Sequence, residues 1–349
     1  MQASEKRKSS DVARATSLLA VGALCGSAMG MAGGAFGGSA DPAAAAQPGS
    51  GKCSVKKLEE PDGTTSSQAT DGSSDGQLHI GYTHADGSTQ AALWSLGETD
   101  DELPDVEDFS PTGVNDDNIV VGTGTGERAS DRTSYLYYDG EIRPLEAPEG
   151  ETAAVTDINT AGDSVGHGSD GSALLWRIDS EDEPRQLSSP YGDARALSIG
   201  DNGRTSGSAD AEDGGTVPVL WHSDGEFDEL PGLDGAEHGV AANISGDFAV
   251  GTSGPSPDAS ADVMWNLAEN TVTELPDSLD EANDVNESGV VAATTEDGNA
   301  AVVDNGDVTE LPPLAGGESK AESITDSGQV AGSSQDAAGR WHAVVWSGC

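Results

Sequence analysis

Beyond residue 52, apolar residues come in short runs separated by clusters of Asp, Asn, Gly and Ser. That rhythm predicts short strands joined by tight turns rather than long helices. One element recurs within it: an apolar residue, a Gly four positions on, and a second Gly eight positions on, where a new extended run begins. Its clearest copies are INTAGDSVG from Ile158, IGDNGRTSG from Ile199 and ITDSGQVAG from Ile324, with looser copies at VNDDNIVVG from Val114 and VNESGVVAA from Val285. Two more, around Gly81 and Gly251, carry one extra residue between the glycines. The second-glycine positions are 81, 122, 166, 207, 251, 293 (an alanine) and 332, spaced by 41, 44, 41, 44, 42 and 39 residues.

A second element follows each of these positions: a short apolar run ending in an aromatic residue, a Gly-containing turn, and Leu-Pro or a close variant, as in PVLWHSDGEFDELPGL from Pro218 to Leu233. The aromatic is Trp94, Tyr137, Trp176, Trp221, Trp265 and Trp346 in six repeats; Val302 replaces it in the sixth repeat of the chain. Each repeat therefore predicts four strands: one before the first Gly, one around the second, one ending in the aromatic and one ending at Leu-Pro. A four-stranded unit of roughly 40 to 45 residues is one propeller blade, which buries its faces only against its neighbours. The fold expected is all-β, a seven-bladed β-propeller. Its aromatics are the inter-blade fillers, each burying ~150–250 Å² for roughly 4–6 kcal/mol gross. The blade holding Val302 is expected to be the loosest.

The seventh repeat stops at HAVVWSGC, one strand short, while CSVKKLEEP (Cys53 to Pro61) matches the Leu-Pro strand of the fourth repeat and has no aromatic run before it. The N-terminal strand is thus expected to complete the last blade. Laying Leu58 on Leu230 sets Cys53 against Gly225, and laying Trp346 on Trp221 sets Cys349 against Asp224; those template positions are neighbours in one hairpin turn. Since Cys25 falls in the N-terminal apolar run, a Cys53–Cys349 disulfide is expected where the ring is joined.

The repeats resemble the probable extracellular repeat family called HAF, whose motif of His, Ala and Phe precedes Leu-Trp. HAVVW (His342 to Trp346), preceded by ITDSGQVAG, is the nearest match; other copies read ALLW, PVLW and VMW and lack the histidine. The resemblance spans nearly all of Cys53 to Cys349. It implies an exported repeat protein and carries no agreed activity or catalytic residue.

Charge and the N-terminus add a compartment. Lys6, Arg7, Lys8 and Arg14 precede an uncharged apolar run from Thr16 to Phe36, and small residues follow to Ala46. Residues 1–46 are therefore read as a secretory signal, 47–52 as a linker and 53–349 as the repeat domain, with an uncleaved anchor as the alternative. Removing 1–46 takes three acids and four bases from 62 and 16, leaving 59 against 12, a net charge of about −47. Such a field disfavours nucleic acid and anionic membranes as partners. With acids scattered through every repeat and only four lysines past residue 46, the surface is that of a protein adapted to salt, secreted or cell-wall associated.

Candidate chemistry adds little. DINTAGD (Asp157 to Asp163) and DVNESG from Asp284 resemble a calcium loop in part, yet lack its alternating acids and closing Glu, and an Asx turn accounts for both. The histidines, His79, His84, His167, His222, His238 and His342, show no zinc spacing. The near misses to a nucleophile elbow at Gly203 and Gly251 fall in the recurrent turn. Trp341 lies outside the repeat pattern, as a second core aromatic or a sugar platform. No catalytic residue, cofactor or metal is expected. The reading is a monomeric binding module for an extracellular protein or glycan. The alternatives are a carbohydrate hydrolase or lyase with carboxylates near the central channel, and a structural surface protein that holds charge and water.

Overall fold

The computed structural model describes residues 53–349 apart from 96–97, 100–102, 104–108, 126–131, 181–182 and 212–213. The expected signal (1–46) and linker (47–52) lie outside the described residues. The regular secondary structure of the described residues is strand, with one 3-10 turn at Pro257–Ala259.

Four-stranded antiparallel units follow one another along the chain. In the first, Ser66–Gly72, Leu78–Ala85, Ser88–Ser95 and Glu98–Thr99 pair in chain order, and the same order recurs further on. The units Ala194–Glu229 and His238–Glu274 fuse into one eight-stranded sheet through a single parallel bridge, Thr216 to His238. The last unit takes three strands from the C-terminus, Ser319–Ile324, Val330–Gln335 and Trp341–Ser347, and its fourth from the other end of the chain. There Ser54–Lys57 runs antiparallel to Trp341–Ser347, with Val55 opposite Trp346 and Lys57 opposite Val344. Cys53 and Cys349 form a disulfide at that edge, their Cα atoms 4.4 Å apart.

The core is divided among the seams. One hydrophobic cluster joins Leu187 and Val165 to Ala196 and Trp221, another joins Leu230 and Leu220 to Ala249 and Trp265, and each of the others likewise combines neighbouring units. The cluster of Leu58, Ala69, Trp94, Ala343 and Val345 joins the N-terminal segment, the first unit and the last. Five indoles also donate to a backbone carbonyl at the end of the preceding Leu-Pro stretch: Trp94 to Glu59, Trp176 to Glu146, Trp221 to Ser188, Trp265 to Pro231 and Trp346 to Pro312, at 2.6–2.8 Å. Each fills a seam and ties its polar atom across it. Tyr137 and Val302 are buried in their seams, without such a bond among the described residues.

The repeated second glycine has a steric cause. At Gly81, Gly166, Gly207, Gly251 and Gly332 an added Cβ would fall inside van der Waals contact of a carbonyl oxygen on the unit's first strand. That close approach comes from a β-bulge at the same place in every first strand, where one extra residue (Thr70, Thr112, Thr156, Leu197, Ala242, Asn283 or Glu322) is left unpaired. Where Ala293 replaces the glycine, the facing strand Leu279–Val285 shifts register twice rather than once.

Candidate functional site

The first strands converge. Each touches the next, the strand Ser319–Ile324 touches Ser66–Gly72, and together they enclose a cavity of about 190 Å³. The bulge places the residue after the extra one toward the neighbouring strand, and these positions read Asp71, Gly113, Asp157, Ser198, Asn243, Asp284 and Ser323.

The aspartates among them act as clamps. Asp157 accepts from Ser198 Oγ at 2.7 Å and the Ile199 N–H at 2.8 Å, both on the next first strand, and from its own Ile158 N–H at 2.7 Å. Asp284 repeats this with the Ile324 N–H at 2.8 Å and the Val285 N–H at 2.8 Å. Asp71 accepts the Val114 N–H at 3.3 Å. The bulge residues bond the other way: Thr112 donates to the Val155 carbonyl at 3.2 Å, Thr156 to Ala196 at 3.1 Å and Asn283 to Ala321 at 2.8 Å.

A second ring lies one turn further, at the mouth. Asn115 donates to the Asn159 carbonyl, Asn159 to Gly200 and Asn286 to Thr325, at 3.1–3.3 Å, while each side-chain oxygen accepts a backbone N–H of its own turn. Asp116, Asp201 and Asp326 each accept the N–H of the preceding unit's turn residue.

The electrostatics are one-signed. Asp71, Asp157, Asp284 and Glu322 line the cavity, Asp201, Glu287 and Asp326 its mouth, and no Lys or Arg is among the lining residues. Burial pushes the Asp157 carboxyl up to about 6 and that of Asp284 up to about 7, against the opposing pull of their N–H donors. Asp71 rises well above the usual carboxylate range, through burial and then through repulsion from Asp157 and Asp284. Glu287 rises chiefly through the neighbouring charge of Asp326. Asp157 and Asp284 thus combine a raised affinity for protons with acceptance of backbone donors on the next strand.

With that ring of strands established, solved structures supply a comparison. The β-propeller domain of the Trilobed protease from Pyrococcus furiosus, described as having an open velcro topology, superposes with a TM-score of 0.55 at 12% identity, covering 82% of this chain and 96% of that one. The acylaminoacyl peptidase of Pyrococcus horikoshii matches with a TM-score of 0.52 at 12% identity over 71% of this chain and 45% of its own. The chain has a β-propeller fold. No family model matches it, and no curated relative does.

Within the propeller, the six aromatics expected as fillers, Trp94, Tyr137, Trp176, Trp221, Trp265 and Trp346, are all buried. They serve the seams and lie away from the channel lining. DINTAGD and DVNESG form the Asn-capped turns of the mouth, where Asp163 is further engaged by Arg177 in an ion pair of 2.5 Å. The near misses at Gly203 and Gly251 end in the strands Thr205–Asp210 and Phe248–Gly254, with Ser206 and Ser253 buried. His342 is buried, with Nδ1 2.7 Å from Glu60 and Nε2 3.2 Å from Asp336, so it bridges the N-terminal segment to the last blade. Trp341 is half-buried at the start of its strand. Sequence reasoning singled out Asp157 and Asp284 only as the first residues of turn motifs and missed their role as inter-strand clamps, and missed Asp71 altogether; the signal was present as one repeat column rich in Asp, Ser and Asn.

Proposed function

We propose that this protein is an exported seven-bladed propeller, closed by its own N-terminal strand, that acts outside the cytoplasm as a binding module and not as an enzyme. The observation that carries the reading is the engagement of the channel aspartates: Asp157 and Asp284 spend both carboxylate oxygens on backbone donors, one oxygen reaching the next blade. A glycosidase pair needs one carboxyl free to give a proton to the leaving group and another free to attack or activate water. Clamps of this kind rigidify a scaffold instead.

Seven first strands in mutual contact, and the ladder from Ser54–Lys57 to Val344–Ser347, support the blade count and the closure. The basic, then apolar N-terminus, the Cys53–Cys349 disulfide and the HAF resemblance favour an extracellular or wall-associated setting. The scattered acidic surface, net −46 for the whole chain, suits a salty medium and a protein or neutral glycan partner more than a polyanion.

Incubation with a panel of extracellular polysaccharides tests the reading, with reducing ends and unsaturated products followed beside a pull-down. Expected is retention of at least one polymer without cleavage, and unchanged retention by Asp157→Asn. Turnover that Asp157→Asn abolishes would place the chemistry in the channel and overturn the reading.

A further inference from the structure

Among the described residues, the fourth and fifth blades are the neighbours that share a sheet, and beside their bridge lies a cleft of about 600 Å³. It opens where the first strand His238–Ser245 begins, at the opposite end from the channel mouth. We propose that this cleft is the ligand site and that it takes a neutral oligosaccharide; the proposal rests on the binding-module reading above.

Tyr191 is an aromatic that the repeat does not call for, standing in the loop before Ala194–Ile199. Its ring packs edge-on against Phe227 at 6.0 Å, and Phe227 packs edge-on against the buried Trp221 at 6.0 Å. Its hydroxyl donates to Glu229 at 2.8 Å. The ring is therefore fixed before any ligand arrives, which lowers the entropy cost of binding.

Around it the cleft joins an apolar wall, Pro218 and Leu230, to the carboxylates of Glu229 and Glu237 and the imidazole of His238. The side chains of Glu237 and His238 have no partner among the described residues. A sugar has the matching two-sidedness: an apolar C–H face for ring and wall, and hydroxyls that both donate to carboxylates and accept from a ring N–H. The volume lies in the range of small-ligand pockets, roughly 300–1,000 Å³. Two glutamates in a chain of net charge −46 repel uronate and sulfated glycans, which leaves neutral ones. A cation would use the acceptors alone and leave the His238 donor idle.

The test is calorimetric titration of the full chain with cellohexaose, maltohexaose, chitohexaose and mannohexaose, beside tri-lysine and choline. The variants are Tyr191→Ala, Tyr191→Phe and Glu237→Gln, each checked for a native circular dichroism spectrum. Expected is binding of at least one hexasaccharide, weakened about tenfold or more by Tyr191→Ala and about fivefold by Glu237→Gln, with Tyr191→Phe within about threefold of the parent. Should Tyr191→Ala unfold, Glu237→Gln and Tyr191→Phe decide. The cleft is refuted by absence of hexasaccharide binding at millimolar concentration, by binding indifferent to these variants, or by a preference for tri-lysine or choline. Binding indifferent to the variants leaves the module reading standing, whereas cleavage of the bound sugar defeats that reading and not the cleft.

Discussion

Replacing both Cys53 and Cys349 by serine removes a cross-link between residues 296 apart in sequence. Chain-entropy reasoning assigns a loop of that length about 5–6 kcal/mol of destabilisation of the unfolded state. The ends stay in register without the bond, because Ser54–Lys57 keeps its ladder, the Leu58 N–H donates to Ala343 at 2.9 Å, the Leu58 side chain is buried, and Trp94 donates to Glu59 at 2.6 Å. The folded form is therefore retained, and the loss falls on the unfolded side; with residual structure there, about 3–5 kcal/mol is expected. An unfolding entropy near 2.1 cal/mol/K per residue over roughly 300 residues gives about 0.6 kcal/mol/K, so the melting temperature should fall by about 5–8 °C. Thermal and urea unfolding of the oxidised parent and the double serine variant, at equal salt, measure this. Equal midpoints, or a variant whose native spectrum is lost before heating, would refute the account: the first because the ends were never linked, the second because the local contacts do not hold them.

Acidification from pH 8 to 5.5 should stabilise the protein. Asp157 and Asp284 have folded values raised to about 6 and about 7 from 3.8, so their adverse contribution is full above pH 7, shrinks as the folded carboxyls protonate and vanishes below 3.8; for Asp157 the ceiling is about 3 kcal/mol. A urea midpoint that is flat or falling over that range contradicts this, as does an Asp284→Asn variant with the slope of the parent. Raising NaCl from 0.1 to 2 M should raise the melting temperature, since screening shortens from about 10 Å at 0.1 M to about 3 Å at 1 M and weakens repulsion among the 62 acids; a decrease would count against a salt-adapted surface. Trp265→Phe keeps a ring in its seam but orphans the Pro231 carbonyl, costing about 1–3 kcal/mol, whereas Tyr137→Phe, at a seam without that bond, should stay within about 0.5 kcal/mol. Equal costs in urea unfolding would remove the indole bond from the stability of the seams.

What the repeat made legible, and what it hid, divides along a physical line. Four strands per unit, the aromatic seams and the partnership of Cys53 with Cys349 could be read because each recurs, or completes something that recurs, at fixed spacing. The bulge was present only as its consequence, the glycine its close approach demands, since an extra unpaired residue has no composition of its own: Thr, Leu, Ala, Asn and Glu all serve. The clamp role of Asp71, Asp157 and Asp284 was hidden by abundance, even where Asp157 and Asp284 stood out as the starts of turn motifs, because in a chain with 62 acids an aspartate carries meaning only through its neighbours in space. Their role is nonetheless periodic: a side-chain oxygen beside the next strand's N–H, supplied by Asp157 or by Ser198 alike. Tyr191 was hidden for the opposite reason. A repeat reports what each unit must do for the next, so a residue serving a ligand appears as a departure from it. Tyr191 stands beside the place where two units share a sheet, and the ligand proposal rests on that local departure from the repeat.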